Sequence, residues 1–292
     1  MTLTLQPISP AFAAEAGGVD LRLPLAPADI DAIDAAMDRY AVLVFRNQPM
    51  DQAQQVACAR QFGPLDAGLR KATGAPTRFQ YDELIDISNV ALDGEVADAS
   101  NAKLVGTLAN QLWHTDSSFQ PLPIKYSMLS AVTLPATGGD TEWADMRAAY
   151  DALPEDLRLL AEGRTAHHST FHSRIMLGDD KYTPEQLNRF PPTEWPLVRT
   201  HPGSGRKLLF VGVHCDRVSD MTIPEGRLLV AELLEHATQR QFIYRHRWQP
   251  GDYVMWDNRA TIHRGRRYNI SARRDLRRTT TLERDAAQRL AA

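Results

Sequence analysis

Hydrophobic residues follow two different spacings along the chain, and the spacing changes near residue 105. In the first part, apolar residues such as Ile30, Ile33 and Met37 recur every three to four positions, which is the spacing of one helix face. Asp51 is a typical N-cap for a second helix. Two helices and two strands are therefore predicted in this part: helices over 28–39 and 52–62, and strands over 41–45 and 84–90.

Beyond residue 105, short runs of β-branched and aromatic residues predominate, and turns rich in Gly and Pro separate them. Residues 164–195 are polar with weak periodicity, so we interpret them as a long insertion and a candidate cover for an active site. Six strands are predicted in this part, over 126–134, 141–146, 208–213, 241–248, 253–258 and 276–282. Two helical segments interrupt them, over 145–163 with a break at Pro154 and over 224–238.

This order of elements predicts a mainly β fold with flanking helices. Many short strands separated by turn signals, with helices gathered mostly early, are typical of a sandwich or barrel, and a jelly roll (a cupin-like double-stranded β-helix) fits best. There is no internal repeat and no low-complexity linker. We therefore expect one domain over 1–292, with a helical and strand-containing N-terminal part over about 1–105 and a jelly-roll core over about 106–285.

The composition is that of an ordinary globular protein, with 43% hydrophobic and 24% charged residues. A net charge of −3 gives no general attraction to nucleic acid or to anionic membranes. No apolar run approaches the ~20 residues that span a bilayer, and the N-terminal stretch MTLTLQPISPAF lacks the features of a signal peptide. Cys58 and Cys215 belong to no CxxC motif, so we expect two reduced thiols in a cytoplasmic protein.

A histidine and an aspartate two positions apart occur twice, in HTD at 114–116 and in HCD at 214–216. On a strand, residues two apart point to the same side, so either pair could offer two ligands to one divalent cation. His263 lies downstream of both, and a second histidine completes the 2-His-1-carboxylate triad of non-haem iron enzymes. The spacing does not choose between the pairs, and a hydrogen-bonded surface histidine is the alternative for each.

The stretch 263–285 is rich in arginine. If residues 274–282 are extended, Arg274 and Arg278 share one face with apolar residues. That mixture is expected of a barrel interior that receives anions. An inward-facing cation is costly to desolvate unless an anion pairs with it, and a guanidinium can form paired, charge-assisted hydrogen bonds with a carboxylate. The strand therefore predicts one or two carboxylate-bearing small molecules beside His263. A phosphate-binding or nucleic-acid-binding patch and a solvated edge strand are the alternatives.

Longer motifs resemble those of a known family. They include NQLWHTDSSF (110–119), GGDTEWADMRAAYDAL (138–153), EGRLLVAELLEHAT (225–238) and MWDNRATIHRGRRY (255–268). Over nearly its whole length the chain resembles the Fe(II)/2-oxoglutarate dioxygenases related to taurine dioxygenase and 2,4-dichlorophenoxyacetate dioxygenase. The resemblance implies a jelly-roll enzyme that uses Fe(II), 2-oxoglutarate and O2.

The resemblance also implies roles for individual residues of this chain. It places the iron ligands at His114, Asp116 and His263, and the residues that bind 2-oxoglutarate at Thr141 and Arg274. The pair in HCD at 214–216 is then a coincidental motif.

The implied substrate contacts are Arg278, Asn110, Trp256, Lys71 and His214. Arg278 and Asn110 match substrate-side positions of the family, and Trp256 matches an aromatic residue near the metal. Lys71 is a candidate lid residue, and His214 a candidate pocket residue. As alternatives, Trp256 is a plain core residue, and Arg278 forms a structural ion pair with a nearby acidic residue, Glu283 or Asp285.

Within the family, the motifs look closest to the aryloxyalkanoate (phenoxy herbicide) branch. The implied reaction hydroxylates the carbon next to the ether oxygen and gives a phenol and a 2-oxo acid such as glyoxylate, with succinate and CO2. The expected partners are a small anionic aromatic substrate and further copies of the chain, without nucleic acid or membrane. The alternatives are the same chemistry on a sulfonate, alkyl sulfate or natural aromatic carboxylate, a zinc hydrolase on a jelly roll, and a metal-free anion-binding protein.

Overall fold

The computed structural model describes residues 2–9, 12–98, 103–122, 124–179 and 181–283. The strands within these ranges are β1 (Thr4–Pro7), β2 (Ala14–Gly17), β3 (Val42–Phe45), β4 (Ile85–Ser88), β5 (Ile124–Thr133), β6 (Thr141–Asp145), β7 (Thr165–His168), β8 (Thr193–Pro196), β9 (Val198–Thr200), β10 (Lys207–Leu209), β11 (Cys215–Val218), β12 (Ile243–His246), β13 (Tyr253–Asp257), β14 (Thr261–Gly265) and β15 (Asp275–Leu282).

Helices lie between the strands within the same ranges. They are α1 (Pro27–Tyr40), α2 (Gln52–Arg60), α3 (Gly68–Thr73), α4 (Lys103–Ala109), α5 (Met146–Asp151), α6 (Glu155–Ala161), α7 (His172–Met176), α8 (Pro184–Arg189) and α9 (Ile223–Ala237), with a 3-10 turn at Arg240–Phe242. The predicted N-cap of α2 is confirmed, because Asp51 and Gln54 form a reciprocal capping box.

Two sheets build the jelly roll. The major sheet has the strand order β1-β2-β3-β13-β5-β15-β4, and the minor sheet has the order β12-β6-β14. Strands that precede residue 105 (β1 to β4) lie in the same sheet as strands that follow it. Smaller sheets, β11-β7-β8 and β10-β9, lie beside them. The predicted mainly β architecture with flanking helices is confirmed.

The side chains of β13 show why its sequence forms a central strand. Tyr253 and Met255 pack in the cluster that α1 and α2 complete on one face of the major sheet. Val254 and Trp256 point to the other face and pack with Trp143 of the minor sheet. This period-two alternation of large apolar residues buries both faces of the strand. The cluster between the two sheets holds the barrel together next to the candidate site.

The predicted helix break at Pro154 is confirmed, since α5 ends at Asp151 and α6 begins at Glu155. The predicted strand over 208–213 was too long, because β10 ends at Leu209. Beyond it the chain passes close to the backbone of His114: a Cβ on Gly212 would lie 3.4 Å from the Cα of His114. The Val213 N–H donates to the Trp113 carbonyl at 2.8 Å, which joins this segment to the one that carries His114.

Residues 164–195 contain more regular structure than their weak periodicity indicated. They form β7, α7, α8 and β8, and β7 pairs with both β8 and β11. Four-residue strands with polar positions give little periodic signal. Among the described residues, no helix combines the length and apolar character needed to cross a membrane.

Candidate active site

Two histidines lie side by side at one end of the barrel. His114 and His263 form an antiparallel bridge, in which the backbone N–H of each donates to the carbonyl of the other, at 3.0 and 2.8 Å. Their ring centroids are 4.2 Å apart. Because β14 belongs to the minor sheet, this bridge attaches the His114 segment to the barrel and aligns the two rings.

Asp116 completes a cluster of three possible metal ligands. One donor atom from each of His114, Asp116 and His263 lies within 4.8 Å of the other two. The Asp116 carboxylate oxygens are 3.9 Å from Nε2 of His114 and 3.8 Å from Nε2 of His263. In the part of the chain that the structure describes, His214 and Asp216 join no such cluster of three. The structure thus brings together the first His-x-Asp pair with His263.

Hydrogen bonds orient the donors of this cluster. Nδ1 of His114 is 2.7 Å from the Leu112 carbonyl, which leaves Nε2 facing Asp116. Ser127 donates its hydroxyl proton to Asp116 at 2.7 Å, and Ser127 in turn accepts from the side-chain amide of Asn258 at 2.9 Å. Such contacts around metal ligands fix tautomer and orientation. The sequence analysis missed both residues: Ser127 lies in no quoted motif, and Asn258 lies in MWDNRATIHRGRRY (255–268) without a residue type or spacing that signals this contact.

The charge state of the cluster suits a divalent cation. Burial lowers the pKa of His114 and takes the pKa of His263 well below its usual value, so both rings are neutral ligands at pH 7. Burial alone would raise the pKa of Asp116, but Arg278 and the two imidazoles outweigh it and lower that pKa to about 2. Two neutral imidazoles and one carboxylate are the donor set of non-haem Fe(II) sites.

A second cluster, Asp38, His201 and Asp257, has donor atoms equally close together. However, Arg259 donates to both carboxylate oxygens of Asp257, at 2.9 and 2.6 Å, and His201 lies 3.0 Å from the same carboxylate. A guanidinium already neutralises the charge that would attract a cation. We interpret this cluster as a structural ion pair.

A cavity of about 410 Å³ opens beside the His114 cluster. Thr141 and Arg274 line it together with His114 and His263. The Thr141 hydroxyl oxygen accepts a hydrogen bond of 3.0 Å from the indole N–H of Trp248. Because that oxygen already accepts a proton from Trp248, the Thr141 hydroxyl can donate its own proton to an anion in the cavity.

Arg274 is a buried cation without an acidic partner. Arg274 is 7% exposed. Among the described residues, its guanidinium forms no ion pair. One terminal nitrogen donates to the Gly139 carbonyl at 3.1 Å, the Tyr268 ring centroid is 5.5 Å away, and Nε has no partner. Burial lowers the pKa of Arg274 to about 10. A buried guanidinium in this state fits a carboxylate ligand.

Arg278 lies on β15, which begins directly after Arg274, and lines the same cavity. The pairing of β15 with β4 is continuous from Asp275 to Arg278, so residues 274 and 278 keep the predicted common face. The predicted alternative pairing with Glu283 is wrong, because Glu283 pairs with Arg259 at 3.1 Å; Asp285 lies outside the described residues. The Arg278 guanidinium instead contacts Asp116.

A smaller cavity of about 130 Å³ adjoins the first and shares Asn110, His114 and Arg278 with it. Phe119 and His214 line only this smaller space. The ring centroids of Phe119 and His214 are 5.0 Å apart, with the planes nearly perpendicular, and Nδ1 of His214 has no hydrogen-bond partner. The wall of this smaller space combines apolar surface from Phe119 and Val213 with polar and charged groups, which suits a small organic molecule that carries an anionic group.

The two remaining predicted residues differ in position. Trp256 is buried, lines the larger cavity, and has its ring centroid 4.8 Å from that of His263, so it belongs both to the core and to the cavity wall. Lys71 is exposed on α3 and lines neither cavity, and its role as a lid residue stays a prediction. Arg174 lines both cavities and was missed, since it lies in the insertion and in no motif.

Comparisons with known proteins agree with this geometry. The model of the taurine catabolism dioxygenase TauD, TfdA family matches residues 4–280. The alpha-ketoglutarate-dependent 2,4-dichlorophenoxyacetate dioxygenase of Cupriavidus pinatubonensis is 57% identical over 283 residues, which cover 97% of this chain and 99% of that protein. The (S)-phenoxypropionate/alpha-ketoglutarate-dioxygenase of Sphingobium herbicidovorans is 36% identical, with coverage of 92% and 91%.

A solved structure is also similar over almost the whole chain. The crystal structure of AAD-2 in complex with Mn(II) and N-oxalylglycine superposes with a TM-score of 0.92 and 44% identity, covering 97% of this chain and 98% of that one. The match of the family model, the identity to these relatives and the shared fold lead to one conclusion. The chain belongs to the TauD/TfdA family of dioxygenases.

Proposed function

We propose that this protein is an Fe(II)- and 2-oxoglutarate-dependent dioxygenase of aryloxyalkanoates such as 2,4-dichlorophenoxyacetate. Hydroxylation of the carbon next to the ether oxygen gives a hemiacetal, which collapses to a phenol and a 2-oxo acid, glyoxylate in the case of an acetate. One O2 and one 2-oxoglutarate are consumed, and succinate and CO2 are the other products. The 57% identity to a 2,4-dichlorophenoxyacetate dioxygenase supports this substrate class.

His114, His263 and Asp116 would hold the iron, since their donor atoms lie close together. Three protein ligands leave coordination positions for 2-oxoglutarate and O2, as this chemistry requires. Ser127 keeps the Asp116 carboxylate in place through its hydrogen bond. When bound, Fe(II), 2-oxoglutarate and O2 together supply the oxidising chemistry, and the protein supplies the binding and orientation.

The cosubstrate is bound by Arg274 and Thr141. Arg274 pairs with the far carboxylate of 2-oxoglutarate, which gives the buried guanidinium the anion it lacks. Thr141 donates its hydroxyl proton to the same carboxylate, since Trp248 occupies its oxygen as an acceptor. Both contacts hold the opposite, 2-oxo end of the molecule toward the His114 cluster.

The substrate is bound by the residues around the smaller cavity. Arg278 receives the carboxylate of the aryloxyalkanoate, and Asn110 lines the passage between the two cavities. Phe119 and His214 surround the aromatic ring, and burial takes the pKa of His214 well below its usual value, so that ring is neutral. Holding one C–H bond at a fixed place beside the iron is the main catalytic contribution of these residues.

One observation carries the proposal: a buried arginine without an acidic partner lines the same cavity as a His-Asp-His cluster. A zinc hydrolase would have no use for that second, cationic site.

The test is anaerobic loading with Fe(II), followed by addition of O2 and 2-oxoglutarate with phenoxyacetate, each enantiomer of 2-phenoxypropanoate, or taurine. We expect succinate in equal amounts with phenol for the aryloxyalkanoates. Product formation without O2 would contradict the oxygenase chemistry, and coupled turnover of taurine alone would contradict the substrate class.

Two further properties complete the proposal. A cytoplasmic location is supported by the two buried thiols, Cys58 and Cys215, since free thiols persist in reducing compartments. Self-association into a homo-oligomer is proposed from the family resemblance alone, and light scattering of the purified protein tests it.

A further inference from the structure

Besides Arg266, whose guanidinium lies 3.6 Å from the Glu142 carboxylate, three arginines line the two cavities: Arg174, Arg274 and Arg278. Arg174 lies on α7, inside the 164–195 insertion, whereas Arg274 and Arg278 belong to the β15 region of the barrel. Its half-buried side chain lines both the larger and the smaller cavity, as Arg278 also does. Of the three, only Arg174 and Arg278 reach the smaller cavity, where Phe119 and His214 form the walls.

The charge of Arg174 is not neutralised by the protein within the described residues. No ion pair forms with its guanidinium there, and its hydrogen bond goes to the Thr170 carbonyl at 2.7 Å, through one terminal nitrogen. That contact leaves the other terminal nitrogen available for an anion. The positive charge of Arg174 contributes to the lowered pKa of His214, after burial and the neighbouring histidines His114 and His168.

The acidic residues that line the two cavities do not compensate for this charge. Asp86 accepts from Arg78 at 2.8 Å, and Asp116 belongs to the candidate metal cluster. Two guanidinium groups line the smaller cavity. The one of Arg278 contacts Asp116, whereas the one of Arg174 has no acidic partner among the described residues and is free to meet an anionic ligand. One carboxylate has enough lone pairs to accept hydrogen bonds from both, and a partly desolvated site strengthens each charge-assisted bond.

We infer that Arg174 is a specificity-determining residue that binds the substrate's carboxylate together with Arg278. This inference rests on the proposed function and deepens it. A carboxylate held by both side chains links α7 to β15, so an anionic substrate fastens the insertion over the site. A neutral analogue of the same shape cannot make this link. The enzyme should therefore select aryloxyalkanoic acids over neutral aryl ethers through a residue of its insertion.

The test compares Arg174→Gln and Arg174→Lys with a matched control, Arg189→Gln. Arg189 lies in the same insertion, on α8, and is exposed. Each holoenzyme is assayed with 2,4-dichlorophenoxyacetate and with its primary amide, and the KM values for both compounds and for 2-oxoglutarate are measured. We expect Arg174→Gln to raise the KM for the acid at least 10-fold and to leave the KM for the amide and for 2-oxoglutarate within twofold. Arg174→Lys should recover part of the loss, and the control should match the wild type.

The outcomes separate a binding role from a structural one. If Arg174 only stabilises the turn through Thr170, Arg174→Gln will change the KM for the acid and the amide by the same factor, which overturns the inference. An unchanged KM for the acid also overturns it while leaving the proposed function intact. If the wild type forms no succinate with the acid, the proposed function fails, and this inference fails with it.

Discussion

Replacement of Arg274 by methionine should have opposite effects on cosubstrate binding and on stability. Methionine keeps much of the side-chain length but removes the cation that pairs with 2-oxoglutarate. Loss of one partner of a buried charge pair costs roughly 2–5 kcal/mol, which corresponds to a roughly 30- to 4,000-fold increase in the Kd for 2-oxoglutarate. Without cosubstrate, the same change removes a buried charge that has no acidic partner.

The size of the stability effect follows from the pKa of Arg274. Burial lowers it to about 10, and at ~1.4 kcal/mol per pH unit this corresponds to a penalty of roughly 3 kcal/mol for keeping the charge buried. Arg274→Met should therefore raise the free energy of unfolding of the cosubstrate-free protein by about 1–3 kcal/mol. In the wild type, bound 2-oxoglutarate compensates the charge, so the stabilisation by added 2-oxoglutarate should be large.

Urea unfolding with and without 2-oxoglutarate measures both effects, with Mn(II) replacing iron so that no turnover occurs. At 100 times the wild-type Kd, 2-oxoglutarate should stabilise the wild type by about 2.7 kcal/mol and the variant by less than about 1 kcal/mol. Arg273→Met is the control, because Arg273 is adjacent but donates to the Gly94 carbonyl and does not line the cavity. Equal stabilisation of the wild type and Arg274→Met by 2-oxoglutarate would refute the assignment.

Three further predictions concern the metal, a backbone turn and pH. His114→Ala should abolish succinate formation and iron binding, whereas His214→Ala should retain iron; loss of iron from both, measured by metal analysis, would contradict the chosen ligand pair. Gly139 has φ +76°, and a Cβ there would lie 3.0 Å from Nε of Arg274. Gly139→Ala should therefore lower the free energy of unfolding by about 1–2 kcal/mol and raise the KM for 2-oxoglutarate. An unchanged free energy of unfolding together with an unchanged KM would contradict this prediction. Burial lowers the pKa of His168 to about 3. Because the histidine is protonated at a higher pH in the unfolded chain than in the folded protein, the free energy of unfolding should fall as the pH drops from about 6.5 toward 3, by up to ~1.4 kcal/mol per pH unit. His168→Phe should flatten that slope in urea titrations, and parallel profiles would contradict the assignment.

Local patterns were sufficient to predict the central strands. The continuous apolar run of β13 is typical of a strand buried on both faces. The four-residue spacing of Arg274 and Arg278 predicts a common side for both, and both line the larger cavity. Local patterns could not predict which of the two His-x-Asp pairs joins His263, because this depends on the bridge between His114 and His263. That bridge joins residues far apart in the sequence, so only the family resemblance could indicate it.

The rest of the site depends on contacts that no spacing encodes. Ser127 of β5 reaches Asp116 in a turn, and Trp248 beyond the end of β12 reaches Thr141 of β6. Arg174 lies in an insertion whose short strands carry almost no periodic signal. These contacts arise from tertiary packing of residues with ordinary local propensities, which is why the sequence patterns gave no signal for them.

Arg274 directly precedes β15 and Arg278 lies within it, so a short stretch of backbone joins the two proposed carboxylate anchors. Four residues of extended chain span ~13 Å, so the backbone fixes the spacing between these two anchors. Side-chain replacements elsewhere leave that length untouched, whereas deletion of a single residue between 274 and 278 would turn one guanidinium toward the opposite face. We therefore expect substrates of a different length to be accommodated by changes in the 164–195 insertion, while the backbone spacing between Arg274 and Arg278 stays constant.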